Sequence, residues 1–426
     1  MTINIKKLAI SGGRKTITEK LSVYNPIGAE ESEAVKSVIE SGILSDFVGA
    51  PGENFLGGKY VKLFEHNFKK DFSIKNAISV NSWTSGLIAA VGALSIEPGD
   101  EILVTPWTMC ASAISILHWN AIPVFVDIDP DTFCMDPQKI EEKISERTKA
   151  IMVVDIFGQS ADMDPIIVIA KKHNLKVISD CAQAPGATYK GKFAGTMGDV
   201  GGFSFNYHKH IHTGEGGMIV TNNDEIAKKC QLIRNHAEAA IVDIPNADLT
   251  NMIGYNFRLG EIESAIGIQQ LKKLNIAISS RQHAASILTS TIDKIEGLTA
   301  PVVRKDSTHV YYFYAMKHDA ELTGVSRDRI HEALVAEGVP IAKEYQNLHM
   351  LPMFLKQQCY GTENFPWSLN KTVNYSYGEK TCEVAERINK EEYLGIFMCG
   401  SNYNDDEINL VAEAIKKVYS NLDELK

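Results

Sequence analysis

Short apolar segments alternate with helical segments between residues 77 and 220, and this rhythm limits most strongly the folds open to the chain. Strands that alternate with helices build a largely parallel sheet with helices on both faces. The sequence therefore predicts an α/β domain. Its predicted strands are residues 77–80, 101–105, 123–126, 150–154, 176–179, 200–205 and 218–220. Its predicted helices are residues 86–94, 111–119, 137–144 and 165–173.

The flanking segments are mainly helical, with apolar residues at helical spacing. Further helices are predicted at residues 30–40, 60–72, 262–274, 282–295, 326–337 and 406–419. An aromatic strand is predicted at residues 310–316. We therefore predict a large domain over residues 1–275, with a mostly parallel mixed sheet, and a smaller C-terminal α+β domain over residues 276–426.

Composition narrows the classes of function. The chain has 426 residues, of which 44% are hydrophobic and 23% charged, as in soluble globular proteins. A net charge of −10 argues against a nucleic-acid surface. We find no secretory signal, and no apolar run approaches the length of a membrane span. The seven cysteines are scattered without a C-x-x-C pattern, which favours reduced thiols in the cytoplasm.

Four chemical groups follow the predicted strands, and ligands of parallel sheets bind at the carboxyl ends of strands. Asp180 supplies a carboxylate that would suit a protonated ring nitrogen, and Trp107 supplies a flat face for stacking. Thr84 and Ser85 stand where a helix begins, which favours binding of a phosphate. Lys209, among aromatic, histidine and glycine residues, supplies an amine. A ring nitrogen, a ring face, a phosphate and an aldehyde together indicate pyridoxal phosphate.

Each feature alone has a plainer interpretation. Asp180 could cap the following segment, Trp107 could belong to the core, and Lys209 could be a surface lysine. The alternation of His208, His210 and His212 could suggest a metal site. No Cys or carboxylate stands at ligand spacing beside these histidines, so we predict no metal.

Longer motifs carry a family resemblance from about residue 57 to residue 405. Residues 204–217 match the pattern S-F-x-x-x-K-x-x-x-x-G-E-G-G in register, with Lys209 as its lysine. Further matches are D-C-A-Q-A at residues 180–184, G-Y-N-F-R-L at 254–259 and C-E-V-A-E-R at 382–387. The chain resembles the DegT/DnrJ/EryC1/StrS sugar aminotransferases, which are fold-type I pyridoxal phosphate enzymes.

The resemblance implies a role for each matching residue. Lys209 would bond to the cofactor aldehyde and then move a proton, and Asp180 would keep the ring nitrogen protonated. The other implied cofactor contacts are Gln183 and Trp107 at the ring, and Thr84, Ser85 and Ser204 at the phosphate. Asn256 would reach the phosphate in a neighbouring subunit, which implies a homodimer with shared active sites.

The resemblance also implies substrates. The donor would be L-glutamate, and the acceptor a keto- or aldehydo-sugar in the biosynthesis of cell-surface polysaccharide such as lipopolysaccharide. The run N-Y-H-K-H-I-H-T at residues 206–213 favours the 8-oxo form of 3-deoxy-manno-octulosonate, which would give the 8-amino sugar; the alternative is a nucleotide-linked 4-keto or 3-keto sugar. Candidate substrate contacts are Arg258, His208, His210, His309 and Tyr311. Trp83 stands where the family usually has glycine, so we expect a reshaped phosphate turn.

Two rival functions stay open on sequence alone. His208 and Lys209 superficially resemble the His-Lys pair of cysteine desulfurases, although the glycine turn differs and no cysteine lies in a convincing glycine-rich loop. A non-catalytic pyridoxal phosphate sensor is the second rival. Neither a helix-turn-helix nor a basic face supports it.

Overall fold

The computed structural model describes residues 7–240 and 252–426. Its strands are β1 (Asn76–Val80), β2 (Glu101–Val104), β3 (Ile122–Phe125), β4 (Thr148–Val154), β5 (Lys176–Asp180), β6 (Thr188–Tyr189), β7 (Lys192–Phe193), β8 (Val200–Ser204), β9 (Gly217–Thr221), β10 (Leu298–Thr299), β11 (Phe313–His318), β12 (Ile341–Ala342) and β13 (Tyr393–Phe397). Its α-helices are α1 (Ala29–Ser41), α2 (Lys59–Asp71), α3 (Trp83–Ala93), α4 (Ala111–His118), α5 (Met163–Lys172), α6 (Asp224–Arg234), α7 (Ala237–Ala240), α8 (Glu261–Ile292), α9 (Ala320–Thr323), α10 (Arg327–Glu337), α11 (Pro352–Leu355), α12 (Glu383–Arg387) and α13 (Asp405–Tyr419).

A seven-stranded sheet in the order β1-β9-β8-β5-β4-β2-β3 is the larger of the two main sheets. Strands β8, β5, β4, β2 and β3 are parallel, whereas β9 runs antiparallel to both of its neighbours. The strands are almost entirely buried because helices cover both faces. The predicted α/β fold with a mostly parallel mixed sheet is therefore confirmed.

A second, four-stranded antiparallel sheet in the order β10-β11-β13-β12 lies in the C-terminal region. It packs with α10 and α13 around its own apolar core. Leu8 and Ile17, far away in sequence, belong to the same core. The N-terminal segment is fixed there because the backbone N–H groups of Ala9 and Thr16 donate to the Glu337 carboxylate at 2.8 and 2.9 Å.

Helix α8 connects the two cores without a break. Leu271 and Leu274 contact the core on one face of the large sheet, whereas Ala285 and Leu288 contact the small core. The sequence predicted helix at residues 262–274 and 282–295, and the structure joins both stretches. The predicted domain boundary at residue 275 falls inside α8, and the division stays a prediction.

Three predicted elements differ in extent. Residues 137–144 form two short 3-10 turns instead of one helix, because Ile140 is the one fully buried side chain between Asp136 and Ser145. Helix α3 begins three residues earlier than predicted, with Ser82 as its N-cap. The aromatic strand begins at Phe313, because the preceding residues pair instead with the loop after β4.

The joint between α12 and the large sheet depends on a carboxylate from another element. Asp127, just after β3, accepts hydrogen bonds from the backbone N–H groups of Val384 at 2.8 Å and Ala385 at 3.0 Å. Cys382, the N-cap of α12, makes no side-chain cap of its own. Asp127 therefore satisfies two donors that would otherwise be buried without a partner.

We expect Asp127→Ala to lower the free energy of unfolding by about 1–3 kcal/mol, because buried N–H groups would lose their acceptor. Urea denaturation followed by fluorescence measures this change. Asp131→Ala is the matched control, since the exposed Asp131 pairs with Lys317 at 2.8 Å and should contribute less than about 1 kcal/mol. Equal losses in the two variants would contradict the capping role.

Candidate active site

The carboxyl ends of β1, β2, β5 and β8 meet at one edge of the large sheet and border a cavity of about 170 Å³. Parallel strands place these ends side by side, so residues distant in sequence come together. Of the residues predicted from sequence, Thr84, Asp180, Gln183, Ser204, His208 and Lys209 line the cavity.

Lys209 is 8% exposed and lies in the turn that follows β8. Its Nζ lies 3.4 Å from Tyr312 Oη and 4.5 Å from the centroid of the Tyr312 ring. Burial lowers the pKa of Lys209 to about 8, against the opposing attraction of Asp180. A substantial share of this amine is therefore neutral just above neutral pH, as nucleophilic or proton-transfer chemistry requires.

Asp180 ends β5 and is 4% exposed. Its Oδ1 accepts hydrogen bonds from Trp83 Nε1 at 2.7 Å and from the backbone N–H of Ala182 at 3.1 Å. Its Oδ2 accepts one from Ser112 Oγ at 2.7 Å. Burial raises the pKa of Asp180, whereas the Ser112 and Trp83 donors lower it. These donors favour the ionised carboxylate and leave it room to accept a further hydrogen bond from the cavity.

The N-terminus of α3 opens onto the same cavity. Ser82 Oγ accepts a hydrogen bond from the Ser85 N–H at 3.1 Å and lies 2.9 Å from Ser85 Oγ. Ser85 is thus engaged by the cap, and it does not line the cavity. The hydroxyls of Ser82, Thr84 and Ser204 do line it. Hydroxyls beside a helix N-terminus suit an anion such as a phosphate.

Gln183 lies between the cavity and an aromatic cluster. Its Oε1 accepts a hydrogen bond from the Phe157 N–H at 2.8 Å, and its Nε2 donates to Tyr345 Oη at 3.0 Å. Both ends of the amide are therefore fixed, which holds the flat side chain against the cavity wall. The sequence placed Gln183 near the cofactor ring or its hydroxyl.

Trp107 does not reach the cavity, which corrects the expected stacking face. Its side chain is fully buried, and its Nε1 donates to Asn347 Oδ1 at 2.7 Å. The indole stacks on Phe133, with ring centroids 5.6 Å apart, inside an aromatic cluster. Met109, two residues further along, lines the cavity instead. The strand end was located correctly, but the side chain that faces the cavity was not.

The histidines around Lys209 separate into different environments because residues 208–212 form turns and bends instead of a strand. His208 lines the cavity, and burial lowers its pKa to about 4. His210 is fully buried, and its Nε2 lies 2.8 Å from the carbonyl oxygen of Val310. Only His208 is thus placed to contact a bound molecule. Within residues 7–240 and 252–426, no group of three His, Cys, Asp or Glu side chains is placed to share a metal ion.

Tyr312, not Tyr311, faces Lys209. Tyr311 has a positive φ of 51°, and its ring stacks on His309 with centroids 4.2 Å apart. The segment passes so close to Gly158 (φ 120°) that a Cβ there would lie 2.6 Å from the Tyr311 nitrogen. This turn directs Tyr312 to Lys209, and neither His309 nor Tyr311 lines the cavity. The functional neighbours that the sequence reasoning missed are Ser82, Ser112 and Tyr312; the cap position of Ser82 was the one local signal.

Asn256 and Arg258 lie outside the cavity lining. Asn256 is exposed, and its Oδ1 accepts a hydrogen bond from Arg258 Nε at 2.7 Å. Its carbonyl oxygen lies 3.4 Å from Asn81 Nδ2, at the end of β1. The two side chains therefore form one exposed pair near, but not in, the cavity of their own chain.

The model of the DegT/DnrJ/EryC1/StrS aminotransferase family matches residues 28–375. The chain belongs to this family. It is therefore an enzyme, as its motifs implied. In the described part of this aminotransferase-family chain, no helix is both long enough and apolar enough to cross a membrane.

Relatives match this family member over most of its length. GDP-perosamine synthase of Caulobacter vibrioides is 38% identical over 70% of this chain and 79% of its own. The spore coat polysaccharide biosynthesis protein SpsC of Bacillus subtilis is 32% identical over 93% of this chain and 96% of its own. The solved aminotransferase of Psychrobacter cryohalolentis is 30% identical, with a TM-score of 0.80 over 95% of this chain and 100% of its own.

Burial lowers the pKa of Lys209 and Asp180 raises it, so removal of the Asp180 charge should change that pKa. In the cofactor-free protein, competitive labelling with acetic anhydride should titrate Lys209 with a midpoint near its pKa of about 8. Asp180→Asn removes a charge that raises the pKa of Lys209, so the midpoint should fall by about one pH unit. The exposed Lys70 is the internal reference and should label equally in both proteins. A midpoint that rises or stays unchanged in the variant would contradict the electrostatic coupling.

Proposed function

We propose that the protein is a pyridoxal phosphate-dependent aminotransferase that moves an amino group from L-glutamate to the carbonyl group of a sugar. The observation that supports it best is the convergence of a buried lysine of lowered pKa, Lys209, and a buried carboxylate, Asp180, on one cavity. The hydroxyls at the N-terminus of α3 lie in the same cavity. Three complementary sites of this kind fit an aldehyde, a ring nitrogen and a phosphate.

The residues present fit pyridoxal phosphate. Asp180 accepts three hydrogen bonds in the structure, and a carboxylate has about four lone-pair sites, so one remains for a protonated ring nitrogen. Ser82, Thr84 and Ser204 would hold the phosphate, and Gln183 would border the ring. When bound, the cofactor supplies an aldehyde that takes up an amino group and a ring that stabilises negative charge on the neighbouring carbon.

Lys209 would hold and move the proton of the reaction at its Nζ. A base of pKa about 8 accepts and returns a proton readily near neutral pH. Tyr312 Oη, 3.4 Å away, would orient the amine. Burial raises the pKa of Tyr312, so its hydroxyl stays protonated and available as a hydrogen-bond partner. The near-complete burial of Lys209 and Asp180 keeps bulk water from both groups.

The names of the relatives support a sugar acceptor and polysaccharide biosynthesis. One similar protein is a GDP-perosamine synthase, and another is a spore coat polysaccharide biosynthesis protein. Within this class we propose the 8-oxo form of 3-deoxy-manno-octulosonate as acceptor, in lipopolysaccharide biosynthesis. A nucleotide-linked 4-keto or 3-keto sugar is the second candidate, which the synthase relative favours. All seven cysteines are free, which fits the cytoplasm as the proposed location.

The charges in the cavity support a homodimer with shared sites. Among the described residues that line the cavity, Lys209 is the only cation, since burial lowers the pKa of His208 to about 4 and leaves it neutral. A phosphate and a sugar acid both need further positive or donor groups. The exposed pair of Asn256 and Arg258 would supply them to the cavity of a second copy of the chain.

Turnover tests the proposed function. The protein loaded with pyridoxal phosphate and L-glutamate should form 2-oxoglutarate with one member of a panel of keto- and aldehydo-sugars. Lys209→Ala should lower this rate at least about a thousandfold, because the proton carrier is lost. Lys70→Ala, an exposed lysine, is the matched control. Borohydride should attach the cofactor to the peptide that contains Lys209. Attachment elsewhere would overturn the role of Lys209, and cofactor binding without any amino transfer would favour a sensor.

Cofactor retention tests the shared site. Asn256→Ala should weaken pyridoxal phosphate binding about tenfold, the effect of one lost hydrogen bond to a charged group. Absorbance after dialysis against increasing volumes measures retention. Asn409→Ala is the control, because the Asn409 amide donates to the carbonyl oxygen of Asp405 on the exposed face of α13. Unchanged retention in Asn256→Ala would count against a contact with the cofactor of the neighbouring copy.

A further inference from the structure

Trp83 connects two parts of the candidate site, the N-terminus of α3 and the Asp180 carboxylate. It is the first residue of α3, so its backbone stands at the anion-binding helix N-terminus. Its indole points inward and is 5% exposed. Nε1 donates to Asp180 Oδ1 at 2.7 Å. One residue thus spans from the phosphate end of the cavity to the carboxylate at the end of β5.

Two glycines leave space for this indole. A Cβ on Gly202 would lie 2.2 Å from Trp83 Cζ3, and a Cβ on Gly86 would lie 2.5 Å from Trp83 Cε3. Gly202 is the β8 residue that pairs with Asp180 in the sheet. The indole therefore fills the place of two absent side chains directly beside the carboxylate. A residue that only filled core space would not need to direct its N–H at an ionisable group.

We propose that Trp83 is a positioning residue that holds the Asp180 carboxylate ionised and aimed at the ring nitrogen of the bound cofactor. The inference rests on the proposed function, since it concerns the same cofactor. The indole N–H and the Ala182 N–H occupy Oδ1. Ser112 Oγ engages Oδ2 from the opposite element, α4. Together these donors prevent rotation of the carboxylate and fix the direction of its remaining lone pair.

The indole N–H of Trp83 is chemically suited to hold the Asp180 carboxylate in its charged form. A hydrogen bond to a carboxylate favours its charged form, and here it opposes the desolvation of a buried acid. An indole N–H can donate but cannot accept a proton near neutral pH, so it cannot become a competing base. If Asp180 took up a proton, it would no longer stabilise a positive ring nitrogen. Removal of the indole N–H should therefore weaken binding of the charged ring and leave an uncharged ring unaffected.

Two ligands separate this effect from general packing. The probes are pyridoxal phosphate and its analogue with carbon in place of the ring nitrogen, and the measured quantity is the ratio of their dissociation constants. Trp83→Phe should reduce the preference for pyridoxal phosphate about tenfold, the effect of one charge-assisted hydrogen bond. Replacement of Trp83 by 3-benzothienylalanine keeps the bicyclic shape and removes only the N–H, so it should give the same reduction even where Trp83→Phe does not fold.

Trp119→Phe is the matched control. Trp119 Nε1 donates to the carbonyl oxygen of Ile88 at 2.8 Å, and Ile88 lies in α3, the helix that begins with Trp83. The indole of Trp119 lies against Gly92 as that of Trp83 lies against Gly86. This control should leave the ratio unchanged. A ratio within about twofold of wild type in the benzothienyl variant, or equal weakening of both ligands, would overturn the role of Trp83. A wild-type protein that binds no pyridoxal phosphate would instead overturn the proposed function itself.

Discussion

A buried carboxylate is the constraint on which the arrangement at one edge of the large sheet depends. Asp180 is almost inaccessible to water, and an ionised acid in that position needs donors on every side. Those donors come from α3 through Trp83, from α4 through Ser112 and from the segment after β5. Each lies beyond the carboxyl end of a different strand. The parallel order of the sheet therefore brings together the donors that a buried carboxylate needs. The remaining lone pair of Asp180 can accept a hydrogen bond from a molecule in the cavity.

Sequence predicted those parts of the site that depend on strand ends alone. Asp180 ends an apolar strand, and Lys209 lies in the turn after another, so their neighbourhood was visible as a local pattern. The direction of the Trp107 side chain was not visible as a local pattern, because its indole packs against Phe133 and Phe157 in other segments. The choice between Tyr311 and Tyr312 depends on a turn set by Gly158, a contact between distant parts of the chain. Side-chain direction beyond a strand end is thus a tertiary property.

The contacts of residues 382–387 are likewise a tertiary property that the sequence did not reveal. Glu386 accepts hydrogen bonds from the backbone N–H groups of Lys380 at 2.9 Å and Cys382 at 3.0 Å. It also lies 3.0 Å from the buried His349. Asp127 satisfies the first turn of the same helix from β3. These residues therefore build the joint between α12 and the large sheet, and none of them lines the cavity.

The histidines beside Lys209 bear on how the cavity responds to pH. Burial lowers the pKa of His208 to about 4 and that of His309 to about 3, and it also lowers the pKa of His210 well below its ordinary value. All three are therefore neutral between about pH 5 and pH 8. Lys209, with a pKa of about 8, lines the cavity and changes charge just above neutrality. A neutral His208 can still donate or accept one hydrogen bond, and it adds no charge that would oppose protonation of the lysine.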